Sequence, residues 1–177
     1  RPWASQMRCT VAGLIPCASA IVRVLQCVAP RGRVWVVAFT IRLTLADEIE
    51  QLKRTLEVIN FQISNMRPAP EVRFGMVLFR DKGDDYRTRL VPFTADLKRF
   101  RASLGTVAAG GGGDTPEDVQ EALKEALTRL DWRRDGVKVA FLIGDAPPHL
   151  DYGQSYTYLR AMQEAAERGI KIAAIGC

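Results

Sequence analysis

The stretch Val34–Met66, VWVVAFTIRLTLADEIEQLKRTLEVINFQISNM, decides the fold. Its first part, Val34–Phe39, is apolar at every position. That leaves no face for water and predicts a central strand of a parallel sheet covered on both sides. The second part changes period. Across Asp47–Met66, residues Ile49, Leu52, Leu56, Ile59, Ile63 and Met66 recur at spacings of 3, 4, 3, 4 and 3, which is one stripe of an amphipathic helix. Pro68 disfavours helical backbone in the residue before it, so the helix stops short of that point.

Working outward, the alternation of strand and helix continues. Val72–Arg80 reads as a second strand, Asp81–Asp85 as a turn and Tyr86–Phe93 as a third strand. The turn is too short for a parallel crossover, so these strands form an antiparallel hairpin. Pro92, Arg87 and Arg89 place the third strand at a sheet edge. Thr94 is the expected cap of a short helix carrying Leu97, Phe100 and Leu104. After the glycine run Gly110–Gly113, Thr115 is the expected N-cap, Pro116 the first helical residue and Asp118 the third-position acid of a capping box. That helix runs to Leu130 and buries Val119, Leu123, Ala126, Leu127 and Leu130. Val137–Ile143 is a fourth strand, Ser155–Arg168 a helix closed by Gly169, and Ile170–Ile175 a fifth strand. The expected fold is α/β, a mostly parallel sheet covered on both faces with one antiparallel edge strand.

Charge divides the chain unevenly. Its net charge is +5, but the 46 residues up to Ala46 contain six arginines and no acid, so the remainder is close to neutral. Such a domain has no basic face for nucleic acid. Residues 1–32 read as a tail, either signal-like or non-native, and residues 33–177 as the domain. Met7-Arg8, the uncharged run Cys9–Val22 and the small residues Ala18-Ser19-Ala20 resemble a signal segment, which favours a secreted or periplasmic location. Pro16 and Arg23 interrupt that run, so a stable membrane span is not expected. Arg1 at the start and Cys177 after an apolar run mark the chain as a fragment. No C-x-x-C spacing occurs, which argues against a zinc site.

Ligands of open α/β sheets sit beyond the carboxyl ends of the strands, where strand order reverses. First and fourth strands flanking such a point would bring Thr40–Thr44 and Asp145 together, within reach of the loop bearing Asp114. At these loops the chain resembles von Willebrand factor type A domains. WVVAFTIRLTLADEIEQLK, VRFGMVLFRDKGDDYRTRLVPFT, AAGGGGDTPEDVQEALKEAL and VAFLIGDAPPH follow that family's blocks in order over about residues 34–177. The subgroup is the one found in bacterial proteins and beside atypical alpha-kinases, with GGGDxPE and DAPxH signatures. The resemblance implies a protein-interaction or adhesion module, not an enzyme, with a metal-ion-dependent adhesion site for magnesium. It also implies a Rossmann-like three-layer sandwich from which the family's last strand and helix are missing.

In the family the site opens with a D-x-S-x-S or D-x-T-x-S loop. The corresponding positions here hold Thr40, Arg42 and Thr44, of which only Thr44 keeps a suitable hydroxyl; Asp114 and Asp145 match the other two loops. The implied metal set is therefore Thr44, Asp114 and Asp145. Magnesium takes six oxygens, often with retained waters, and a partner's acidic side chain can complete the shell. Thr40 removes an offsetting charge and Arg42 adds an opposing one, so weak or absent magnesium binding is expected, with Arg42 free to pair with Asp114 or Asp145. Either the domain is a degenerate member, or the residues up to about Ala46 are not native.

The bland readings differ by residue. Thr44 is more simply a helix cap, Asp114 serves equally as a helper to Thr115, and Asp145, at the end of a buried strand, favours a site role. His149 reads as a structural or partner contact. Arg80, Asp81, Asp84 and Asp85 read as a solvated turn placed where a rim can form. The alternative is a small hydrolase or nucleotide-binding domain using Asp145 and the glycine-rich loop. It lacks an activated Ser or Cys nucleophile and the Lys-Ser/Thr of a P-loop.

Overall fold

The computed structural model describes residues 21, 24, 34–42, 46–65, 67, 69–106, 118–144 and 149–175, with 42, 46–52, 62 and 175 as backbone. The elements in chain order are β1 (Trp35–Arg42), α1 (Ala46–Ser64), β2 (Val72–Phe79), β3 (Thr88–Thr94), α2 (Leu97–Gly105), α3 (Val119–Thr128), β4 (Val137–Ile143), α4 (Tyr158–Glu167) and β5 (Ile170–Ile175). They form one sheet in the order β3-β2-β1-β4-β5. β1 runs parallel to β2 and β4, β4 runs parallel to β5, and only β3 is antiparallel, at the edge beside β2. This is an α/β three-layer fold of Rossmann-like type.

β1 is apolar throughout because both of its faces are covered. Trp35, Val37, Phe39 and Ile41 face one layer with Leu56, Ile59 and Ile63 of α1 and Phe100 and Leu104 of α2. Ile21 is buried in the same layer, and Val24 packs against it. The rings of Phe39, Phe74, Phe100 and Phe141 stack here with centroids 5.7 to 6.4 Å apart. Each such ring contributes roughly 1.5–3 kcal/mol by leaving water. The opposite face, with Val36 and Ala38, packs on Ala122, Leu123, Ala126 and Leu127 of α3 and Ala161 and Ala165 of α4. The alanines let these helices approach the sheet closely. Trp132 closes this layer, donating its indole N–H to the Ala126 carbonyl at 2.8 Å and meeting Phe93 edge-on.

The turn into β4 needs glycine. Gly136 has φ +93°, and a Cβ there would lie 2.4 Å from the Val34 carbonyl oxygen. That oxygen is already accepting the Val137 N–H at 2.9 Å.

Several boundaries depart from the sequence reading. β1 continues past Phe39 to Arg42, because Thr40, Ile41 and Arg42 remain paired with Val77, Leu78 and Phe79 of β2. β3 starts at Thr88, two residues later than expected. Asp96, not Thr94, caps α2 by accepting the Arg99 N–H; Thr94 instead accepts the N–H of Asp96. α3 begins at Val119 with Asp118 as its N-cap, while Thr115 and Pro116 lie outside the described residues. α4 begins at Tyr158, after the N-cap Thr157.

Candidate functional site

The strand order reverses between β1 and β4, the pair expected to flank the switch point. Thr44, Asp114 and Asp145 lie outside the described residues, and so does their mutual geometry. Thr40 and Arg42 fall within strand β1 and not in a loop after it. Thr40 is fully buried on the face shared with Val36 and Ala38, between Val77 and Leu142. Its hydroxyl has no hydrogen-bond partner among the described residues. A buried orphan hydroxyl costs about 1–3 kcal/mol.

Around this strand end lies a first polar group that the sequence did not disclose. Asp118, at the N-terminus of α3, has a side chain only 1% exposed. Its carboxylate accepts the Glu121 N–H at 3.1 Å and the Gln154 side-chain amide at 2.7 and 3.0 Å. It is also paired with Arg87, whose Nε lies 2.5 Å from Oδ2. Three loops meet at this one carboxylate: the hairpin before β3, the approach to α3 and the segment before α4. Tyr158 adjoins it, and burial, then the Asp118 charge, push its phenol up to about 12. The Tyr158 hydroxyl has no hydrogen-bond partner among the described residues. In the sequence Asp118 reads only as the third-position acid of a capping box begun by Thr115.

A second group fastens the loop after β4 to the β2–β3 turn. His149 Nδ1 lies 2.7 Å from an Asp151 oxygen, and Nε2 lies 3.7 Å from Asp81. The imidazole stacks on Tyr152 with centroids 4.1 Å apart and planes 16° apart. Tyr152 donates its hydroxyl hydrogen to the Asp81 carboxylate, with both oxygens at 2.7 Å. The His149 carbonyl accepts the Gln120 side-chain amide at 3.2 Å. Hydrogen bonding from His149, then from its own backbone, holds the Asp151 carboxyl below its ordinary range. The turn is thus less solvated than the sequence implied. Arg80 is buried, 3.6 Å from Asp85, with its guanidinium over the Tyr86 ring, and Asp81 is engaged by the opposite loop. Both ring nitrogens of His149 face carboxylates, an arrangement that fastens the two loops together.

The residues placed at the first family loop do not fit a magnesium ion well. Thr40 offers a neutral hydroxyl, sealed between neighbouring strands, where a carboxylate is wanted, and Arg42 occupies a β1 position with its backbone in the sheet. Among the described residues no group of three His, Cys, Asp or Glu side chains is arranged to hold a metal. Nor, among them, is any helix long and apolar enough to cross a membrane.

No family model matches the chain. Over 102 residues, 57% of its length, it is 26% identical to the alpha-protein kinase vwkA of Dictyostelium discoideum, and the match spans 16% of that protein. Among solved structures, the conserved hypothetical protein BatB from Bacteroides thetaiotaomicron superimposes with a TM-score of 0.53 at 18% identity, over 81% of this chain and 65% of that one. An aerotolerance-related membrane protein from Bacteroides fragilis gives 0.52 at 17% identity, over 81% and 66%. The pilus adhesin SpaC from Lactobacillus rhamnosus GG gives 0.55 at 14% identity, over 82% and 24%. At these identities the likeness is one of fold. It fits the α/β class reached from the strand order and a von Willebrand factor type A-like fold.

Proposed function

We propose that this chain is a von Willebrand factor type A-type interaction module that binds a protein partner at the carboxyl end of its sheet and catalyses no reaction. The observation that carries this reading is a meeting of loops at the carboxyl end of the sheet: Asp118 gathers Arg87 and Gln154, and the His149 loop is fastened to Asp81 after β2. Loops cross-linked in this way suit recognition, and the likeness to an adhesin and to BatB supports the same class. The kinase likeness covers too little of that protein to carry its activity here.

In this reading the adhesion site is degenerate. Thr44, Asp114 and Asp145 are the remaining oxygen donors, and the resident ion, where bound, would be magnesium held weakly. The partner presents an acidic side chain. Titrating a short glutamate-containing peptide into isotope-labelled chain, with and without magnesium, tests the proposal. Shifts at Thr44, Asp114 and Asp145 and at Thr40, Asp81, Arg87, Asp118 and residues 149–154 are expected. Shifts at the opposite end of the sheet, around Asp131–Gly136, would overturn it. Turnover of ester or nucleotide substrates that is lost in Asp145→Ala would favour the hydrolase alternative instead.

A further inference from the structure

We propose that His149 is a pH-responsive clamp: protonated, it ties the loop between β4 and α4 to the β2–β3 turn, and on losing its proton it lets the two part. The inference goes beyond the partner-binding reading and does not depend on a metal.

The geometry sets the chemistry. A carboxylate only accepts hydrogen bonds, and a neutral imidazole has a single N–H to give. His149 has one carboxylate at each ring nitrogen, Asp151 at 2.7 Å and Asp81 at 3.7 Å. The Asp81 contact is too long for a hydrogen bond and is an ion pair only while the ring is protonated; the neutral ring keeps its Asp151 hydrogen bond and loses that attraction. The imidazole side chain is 10% exposed and that of Asp81 15%, whereas that of Asp151 is 75% exposed. Water therefore screens the shorter contact, while the sheltered one to Asp81 joins the two loops.

Among the described residues, the other charged groups near the ring are engaged elsewhere. From the turn, Arg80 is held by Asp85 and Tyr86, and Lys82 lies over the Tyr152 ring at 5.6 Å. From β3's approach, Arg87 is spent on Asp118. From α3, Gln120 contributes a neutral amide to the His149 carbonyl. Within the loop, Tyr152 keeps Asp81 in place by hydrogen bonding in either state. What the clamp sets is the posture of the loop, including Leu150, whose side chain stands 72% exposed between the two fastened neighbours.

His149 is the sole histidine of the chain, so its ring resonances need no assignment. In the whole chain, NMR titration of the ring is compared with Asp81→Asn and Asp151→Asn, and amide exchange of residues 149–154 is followed over the same pH range after correction for intrinsic rates. The expected result is a midpoint that moves to lower pH in each variant, with loop exchange rising several-fold as the wild-type ring loses its proton. A midpoint that stays put or rises in either variant overturns the proposal. So does loop exchange that is flat across the wild-type midpoint, and that second reading requires no variant to fold.

Discussion

Arg87 and Asp118 stand 31 residues apart in sequence and meet as a close ion pair in which the carboxylate is nearly sealed from water and the guanidinium is not. The asymmetry decides what each substitution does. Arg87→Met leaves a buried charge with only Gln154 and the helix N-terminus to hold it. We expect a loss of about 2–4 kcal/mol, below a fully buried pair because Arg87 is 39% exposed. Asp118→Asn keeps the cap and the contact with Gln154, and should cost about 1 kcal/mol. Urea unfolding of both variants checks the order; equal effects would contradict it.

Tyr158 makes the opposite kind of prediction. Its hydroxyl is buried without a described partner, so Tyr158→Phe should leave stability at pH 7 unchanged or raise it by up to about 1 kcal/mol. A phenol raised in the fold from 10.0 to about 12 favours the protonated state. Its contribution is intact below pH 10 and is lost as pH climbs from 10 toward 12. Tyr156, also pushed up by burial and by Glu164, acts in the same direction. Thermal melts across alkaline pH should therefore fall less steeply in Tyr158→Phe than in the parent chain.

Gly136→Ala tests the entry to β4. With φ +93° and a Cβ position 2.4 Å from the Val34 oxygen, alanine meets both an unfavourable backbone region and a carbonyl that is already hydrogen bonded. We expect a loss above about 2 kcal/mol. A melting temperature within a degree of the parent would show that the turn can relax.

The layered architecture was legible because burial writes itself into period. The all-apolar Val34–Phe39 and the Leu56, Ile59, Ile63 stripe can only be satisfied by a two-sided sheet and a helix lying on it, and both are found. Boundaries were less legible, since ladder pairing outweighs local polarity. Thr40 and Arg42 read as loop residues, yet neighbours on β2 carry them as strand. The polar groups were least legible of all. Tyr152 and Asp81 are 71 residues apart, and Gln154 and Asp118 are 36 apart. No spacing rule links such pairs; only the sheet order that folds the two ends of the chain together does so.

The weakness of the metal site is the claim most exposed to test, and calorimetric titration of magnesium reaches it directly. The chain as it stands should bind no tighter than about 1 mM, near 4 kcal/mol. Thr40→Asp combined with Arg42→Thr returns a carboxylate to β1 and removes a cation, and should tighten binding at least tenfold. Micromolar affinity in the unaltered chain, or no gain in the double variant, would contradict the account.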